Sequence, residues 1–174
     1  MVTKNIVLVG FMGTGKSAVG RLLAKRLDQP FVDLDERISR QAGRTLPEIF
    51  QSEGEPAFRK REREAVRWAS GLKGHVIATG GGVMLDGSNV RDLKRFGWLV
   101  CLTARPEVIL ERTFSSLPSR PLLKGSNPRQ KVEELLQLRQ LHYAQADVAI
   151  DTSDRSIQEV VKEILKRIEE LVNG

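Results

Sequence analysis

Short apolar runs alternate along this chain with longer stretches in which apolar residues return every three or four positions. The runs fall at residues 4–9, 30–34, 75–79, 98–102 and 147–150. Each is short and mostly apolar, which suits strands covered on both faces. Between them, residues 17–27 carry Val19, Leu22, Leu23 and Leu27 at helical spacing. Thr45-Leu46-Pro47-Glu48 is a capping-box signature with proline in the first turn, and a charged amphipathic helix is expected at about 55–69. Asn127-Pro128 opens a helix to about residue 145, and Ser156-Ile157-Gln158-Glu159 caps the last one. Strands alternating with helices predict an α/β domain with a mostly parallel sheet.

Two stretches break the rhythm. Residues 35–70 insert helices between the second and third runs, and residues 114–127 form a loop rich in proline, serine and glycine. A loop of that length in a compact domain is usually a lid or a binding loop. No internal repeat, low-complexity tract or long linker divides the chain, so residues 1–174 are expected to form one domain.

Composition narrows the class. With 40% hydrophobic and 29% charged residues the chain is globular rather than disordered. No apolar run approaches the roughly 20 residues of a membrane span, and the stretch 6–9 is too short for a signal sequence. A cytoplasmic protein with no membrane partner is expected. The net charge of +6 fits an anionic ligand. Nucleic acid is disfavoured, because the densest basic cluster, residues 59–64, is interleaved with acids and no aromatic stacking pattern accompanies it. Cys101, the single cysteine, sits in an apolar run and reads as a small core hydrophobe.

Gly10-Phe11-Met12-Gly13-Thr14-Gly15-Lys16-Ser17 fits G-x-x-x-x-G-K-[ST], with a predicted strand before it and a helix after it. Glycines let the backbone turn its N–H groups onto a phosphate, and the helix N-terminus adds positive potential. Lys16 should reach the β- and γ-phosphates and Ser17 should ligate Mg²⁺. A dinucleotide fingerprint competes: Gly13-x-Gly15-x-x-Ala18 fits G-x-G-x-x-[GA], with Asp33 and Asp35 at a suitable distance. Against it, three residues separate the strand from the first fingerprint glycine, and the Lys-Ser pair has no role there.

Further chemistry clusters at the ends of the runs. Asp33-Leu34-Asp35 ends the second, and strand alternation would turn both acids one way. One could organise Mg²⁺ and its waters and the other hold a substrate hydroxyl; the plainer reading is a helix N-cap. Gly80-Gly81-Gly82 follows the third run, either as a tight turn or as a place for close ligand approach. Arg59 and Glu62 share a helix face; a solvated ion pair is the plainer reading for most charges there, and Arg59, beside Phe58, is the best candidate for reaching inward. Arg120, in the loop 114–127, could close on a transferring phosphate or simply face solvent. Arg139 lies among leucines, where an arginine snorkels or binds an anion.

In order, Gly-x-x-Gly-x-Gly-Lys-Ser, Asp-x-Asp, Phe-Arg-x-x-Glu, Gly-Gly-Gly, Arg-Pro-Leu-Leu and Leu-x-x-x-Arg-x-x-x-Tyr make the chain resemble the shikimate kinases over nearly its whole length. The resemblance implies a P-loop NTPase of the nucleoside-monophosphate-kinase-like type, with five parallel strands flanked by helices. It also implies transfer of the ATP γ-phosphate to the 3-hydroxyl of shikimate, and a monomer is expected. Residue by residue, Asp35 would hold substrate hydroxyls and could act as base. Arg59 and Arg139 would bind the shikimate carboxylate, with Gly81 and Gly82 lining that pocket. Gly13, Thr14, Gly15, Lys16, Ser17 and Ala18 would hold the ATP phosphates. Lys16 and Arg120 would stabilise the phosphate in transfer, and Ser17 would ligate Mg²⁺ with Asp33 acting through water. Arg112 and the loop near Arg155 would border adenine. Gluconate kinases share the fold and remain the alternative, as does a nucleotide-binding switch without a small substrate.

Overall fold

A computed structural model describes residues 4–114, 123, 125 and 127–174. Strands β1 (Asn5–Val9), β2 (Phe31–Asp33), β3 (Val76–Ala78), β4 (Gly97–Thr103) and β5 (Val148–Asp151) form one sheet in the order β2-β3-β1-β4-β5. All four pairings are parallel. Every residue of β1 is buried, as its unbroken apolar run requires of a central strand covered on both faces.

Side-chain alternation divides the core. Val7 and Val9 of β1 and Leu99 and Cys101 of β4 face one cluster with Ile38, Ile49, Phe58 and Val66. Ile6, Leu8, Val100 and Leu102 face the other, with Val19, Leu23, Val160 and Ile164. Helices α2 (Leu34–Ala42), α3 (Leu46–Ala69) and α4 (Gly87–Phe96) cover the first face. Helices α1 (Lys16–Leu27) and α7 (Ile157–Asn173) cover the second. Cys101 is buried, and burial pushes its thiol up to about 11, so it is a core residue and not a nucleophile.

A third, smaller apolar cluster joins Phe11 to Ile109 of α5 (Pro106–Thr113), Val132 of α6 (Pro128–Tyr143) and Leu123. It underlies the loop after β1 and seats α5 and α6 beside that loop.

The caps follow the sequence. Thr45–Glu48 and Ser156–Glu159 are complete reciprocal capping boxes. Helix α3 is kinked at Gly54, whose φ of 82° is not helical, so the predicted helix at about 55–69 is its second arm. Helices α4 and α5 are not announced by periodicity. The first opens on Gly-Ser-Asn, all poor helix formers, and is started by the Asp86 side chain accepting from the Ser88 N–H. Packing of Val90 and Leu93 into the core then holds it.

Helix α2 corrects one expectation. Strand β2 ends at Asp33, and Leu34 already begins the helix, so Asp33 and Asp35 are not alternating residues of one strand. Asp33 is the N-cap, its carboxylate accepting from the N–H groups of Asp35 and Glu36, and an N-cap ends a strand as surely as it begins a helix. Among the described residues, no helix is long and apolar enough to cross a membrane.

Candidate active site

The carboxyl ends of all five strands lie along one edge, and the chain reverses direction across the sheet beside β1, where open α/β sheets form their crevice. The loop following β1 occupies that point. Gly10 has φ 132°, and a Cβ there would lie 2.2 Å from the Leu102 carbonyl oxygen. Only glycine fits so close to β4. Gly13 and Gly15 also adopt positive φ. The Thr14 hydroxyl donates to the Phe11 carbonyl at 2.8 Å, and Lys16 Nζ donates to the Gly10 and Phe11 carbonyls at 2.7 and 2.8 Å. Lys16 thus arches back over the loop, beside the positive end of the α1 dipole.

Ser17 Oγ donates to Asp33 Oδ2 at 2.5 Å, while Asp33 Oδ1 takes the α2 N–H groups. Capping therefore holds the carboxylate in place and leaves its second oxygen on the serine. A hydroxyl and a carboxylate are hard oxygen donors, which fit Mg²⁺, an ion that keeps several waters and takes phosphate oxygens as further ligands. Among the described residues no group of three His, Cys, Asp or Glu side chains is placed to hold a metal, so protein alone does not form a closed cage. Lys16, Ser17, Asp33, Asp35, Thr79 and Gly81 border a cleft of about 380 Å³. A second hollow, of about 640 Å³, opens from Asp35 between α2 and the start of α3.

The far wall of the cleft is organised by Gly80-Gly81-Gly82. A Cβ on Gly80 would lie 2.8 Å from Asp35 Oδ1 and 3.1 Å from Glu62 Oε2; one on Gly82 would lie 2.3 Å from Arg59 Nη1. The Gly81 carbonyl accepts from Arg139 Nη1 at 3.2 Å and from the Tyr143 hydroxyl at 2.6 Å. Side chains from α2, α3 and α6 therefore converge on three consecutive residues that have no side chains of their own.

Arg59 donates to Glu62 at 2.9 Å and to Glu55 at 3.1 Å. The Glu62 side chain is only 3% exposed, so this pair is turned inward, unlike the solvated charges expected along most of the helix. Burial opposes the Arg59 charge, but Glu62 and Glu55 together outweigh it and raise its pKa. On Glu62 the balance falls the other way. Burial raises the carboxyl above its usual range, Arg59 draws it back, and the nearby Asp35 adds to the rise. Arg139 is 4% exposed, with its guanidinium 5.4 Å from the Phe11 ring centroid. It does not snorkel to solvent; its guanidinium is held by the Gly81 carbonyl and packs against Phe11. Burial also raises Tyr143, against the pull of Arg139.

On the other side of the phosphate loop, Arg112 in the last turn of α5 donates to the Gly13 carbonyl at 3.2 Å and to Thr152 through both Nη1 and Nη2. Ala18 borders the 380 Å³ cleft in the first turn of α1. Arg155 is exposed in the loop that leads into α7. Arg120 and most of the predicted lid at 114–127 lie outside the described residues. The structure thus gathers Lys16, Ser17, Asp33, Asp35, Arg59, Gly81, Gly82 and Arg139 about one crevice. Sequence reasoning underrated Glu62 and missed Thr152. The signal for Thr152 was its place directly after β5, at the carboxyl edge of the sheet.

The family model described as shikimate kinase matches residues 12–169. The shikimate kinase of Caldanaerobacter subterraneus subsp. tengcongensis is 49% identical over 163 residues, 94% of this chain and 95% of that protein. That of Thermodesulfovibrio yellowstonii is 47% identical over 171 residues, 98% of each chain. Among solved structures, the shikimate kinase from Acinetobacter baumannii in complex with shikimate superposes with a TM-score of 0.92 at 40% identity, covering 97% of this chain and 94% of that one.

Proposed function

The chain belongs to the shikimate kinase family, and on that premise we propose how its residues share out the transfer of the ATP γ-phosphate to the 3-hydroxyl of shikimate. It is a kinase that phosphorylates shikimate with ATP as co-substrate. The observation that best supports the assignment is the convergence of Asp35, Arg59 and Arg139 on Gly80-Gly81-Gly82, opposite the phosphate loop.

Gly13, Thr14, Gly15 and Ala18 hold the ATP phosphates through backbone N–H groups at the start of α1. Lys16 turns from the Gly10 and Phe11 carbonyls toward the β- and γ-phosphates and stabilises the charge that develops in transfer. Ser17 and Asp33, the latter through water, would hold Mg²⁺, which would neutralise charge on the phosphate oxygens. Arg59 and Arg139 receive the shikimate carboxylate, for which the planar guanidinium is a bidentate partner. Asp35 accepts a hydrogen bond from the 3-hydroxyl and takes its proton as that oxygen bonds to phosphorus and the bond to the ADP oxygen breaks. Arg112 and the loop at Arg155 flank the adenine. Arg120 is placed with Lys16 on the resemblance alone. Residues 35–70 form the acceptor-binding part of the single domain and 114–127 its lid. The protein acts as a cytoplasmic monomer.

The test is an assay of ADP release with ATP and Mg²⁺ against shikimate, gluconate and nucleoside monophosphates. Strong stimulation by shikimate alone is expected. Turnover with gluconate and none with shikimate would overturn the assignment.

A further inference from the structure

Thr152 directly follows β5 and is 2% exposed. Four segments meet at its side chain. Its hydroxyl lies 3.0 Å from the Thr14 carbonyl of the phosphate loop and 3.0 Å from the Thr103 carbonyl at the end of β4. Arg112 Nη1 donates to that hydroxyl oxygen at 2.9 Å, and Arg112 Nη2 donates to the Thr152 carbonyl at 2.7 Å. The hydroxyl has one proton to give. The Thr103 carbonyl already accepts the Thr152 N–H at 2.9 Å, so the Thr14 carbonyl is the partner with more to lose if the hydroxyl is removed.

The contact with Arg112 is a fork. Two N–H groups of one guanidinium meet two oxygens of one residue, which fixes the plane of the group as well as its position. Arg112 is exposed, and an exposed arginine otherwise spreads over many rotamers. The same Nη1 also reaches the Gly13 carbonyl at 3.2 Å. Through one hydroxyl, the phosphate loop, the end of β4, α5 and the loop after β5 are therefore held to one another.

We infer that the Thr152 hydroxyl is a positioning residue for the nucleotide, acting through Arg112 and through the Thr14 carbonyl of the phosphate loop. The inference rests on the assignment of Arg112 to the adenine side of the site. Thr152 touches no reacting atom; it sets the orientation of a group that meets the base and the height of the loop that meets the phosphates.

The experiment is calorimetric titration of ADP into the parent protein, Thr152→Val, Thr152→Ser, Arg112→Ala and the double variant Arg112→Ala/Thr152→Val, with KM for shikimate and a thermal melt for each. Valine keeps the shape and removes the hydroxyl, and serine keeps the hydroxyl. Thr152→Val is expected to weaken ADP about three- to tenfold, the change that losing one net hydrogen bond gives, with KM for shikimate unchanged. Thr152→Ser is expected to restore parental ADP affinity. In the Arg112→Ala background the valine substitution should cost clearly less than it does alone, because part of its effect passes through Arg112. ADP affinity unchanged in Thr152→Val, serine behaving like valine, or fully multiplicative effects in the double variant would each overturn the inference. Arg112→Ala leaving ADP affinity untouched would instead overturn the adenine-side assignment on which it rests.

Discussion

The two walls of the cleft are made by different means. The phosphate wall is backbone. One contiguous segment, Gly10 to Ser17, turns on glycines with positive φ, with Thr14 and Lys16 both donating to carbonyls of their own loop. The acceptor wall is side chain. Asp35, Arg59, Glu62 and Arg139 come from α2, α3 and α6 and meet only because Gly80-Gly81-Gly82 leaves them room. A backbone wall recognises what every nucleotide shares, namely phosphate. A wall of charged side chains recognises a particular arrangement of hydroxyl and carboxylate. Generality and selectivity are thus built from different parts of the chain.

Substitutions on the two walls should therefore separate kinetically. The largest effect is expected at Lys16→Met, which should lower kcat by roughly 10²–10³ or more, the scale of removing one group that stabilises developing charge, while shikimate affinity measured by titration stays the same. Retention of most of kcat would mean the phosphate wall works without the Lys16 ammonium. Next comes Arg139→Ala. It should raise KM for shikimate by an amount corresponding to roughly 2–5 kcal/mol, with KM for ATP unchanged. A matching rise in KM for ATP would erase the distinction between the walls.

Gly82→Ala tests the acceptor wall without removing a charge. The added methyl would stand 2.3 Å from Arg59 Nη1, so the guanidinium must shift. The expected cost in shikimate binding is roughly 1.5 kcal/mol, the low end for a hydrogen bond to a charged group, read as KM in steady-state assays on protein with a parental melting temperature.

The smallest effect concerns pH. Burial first, and Asp35 further, raise the Glu62 carboxyl above its ordinary 4.5 in the folded state, with Arg59 opposing. The folded protein therefore holds this proton more tightly than the unfolded chain. Its contribution to stability is fully present below 4.5 and is lost as pH climbs through the raised folded value. Glu62→Gln has no proton to lose, so urea denaturation across that window should show a shallower decline with pH than the parent. An identical slope would place Glu62 on the solvated side of the comparison.

The same contrast explains what could be read from the chain. The phosphate loop is contiguous, and its residue types, spacing and flanking elements announce it together. The five strands and both capping boxes are likewise local patterns, and they stand where apolar runs and Thr45–Glu48 or Ser156–Glu159 place them. The boundary at Leu34 misled because an aspartate reads equally as the last residue of a strand and as an N-cap, and backbone demand decided for the cap. The burial of Glu62 was not legible because i,i+3 spacing shows a partner but not depth. Thr152 carried no chemistry by type; only the convergence of four segments gives it a part.

Strand β1 has a consequence in time rather than in space. It is the middle strand, hydrogen-bonded to β3 on one side and β4 on the other and buried at every position. Its amides should exchange with solvent deuterium only when the whole domain opens. The phosphate loop begins at the next residue, so its root shares the lifetime of the most protected element while its tip answers to ligand. Partial unfolding should therefore shed peripheral helices before it releases Gly10.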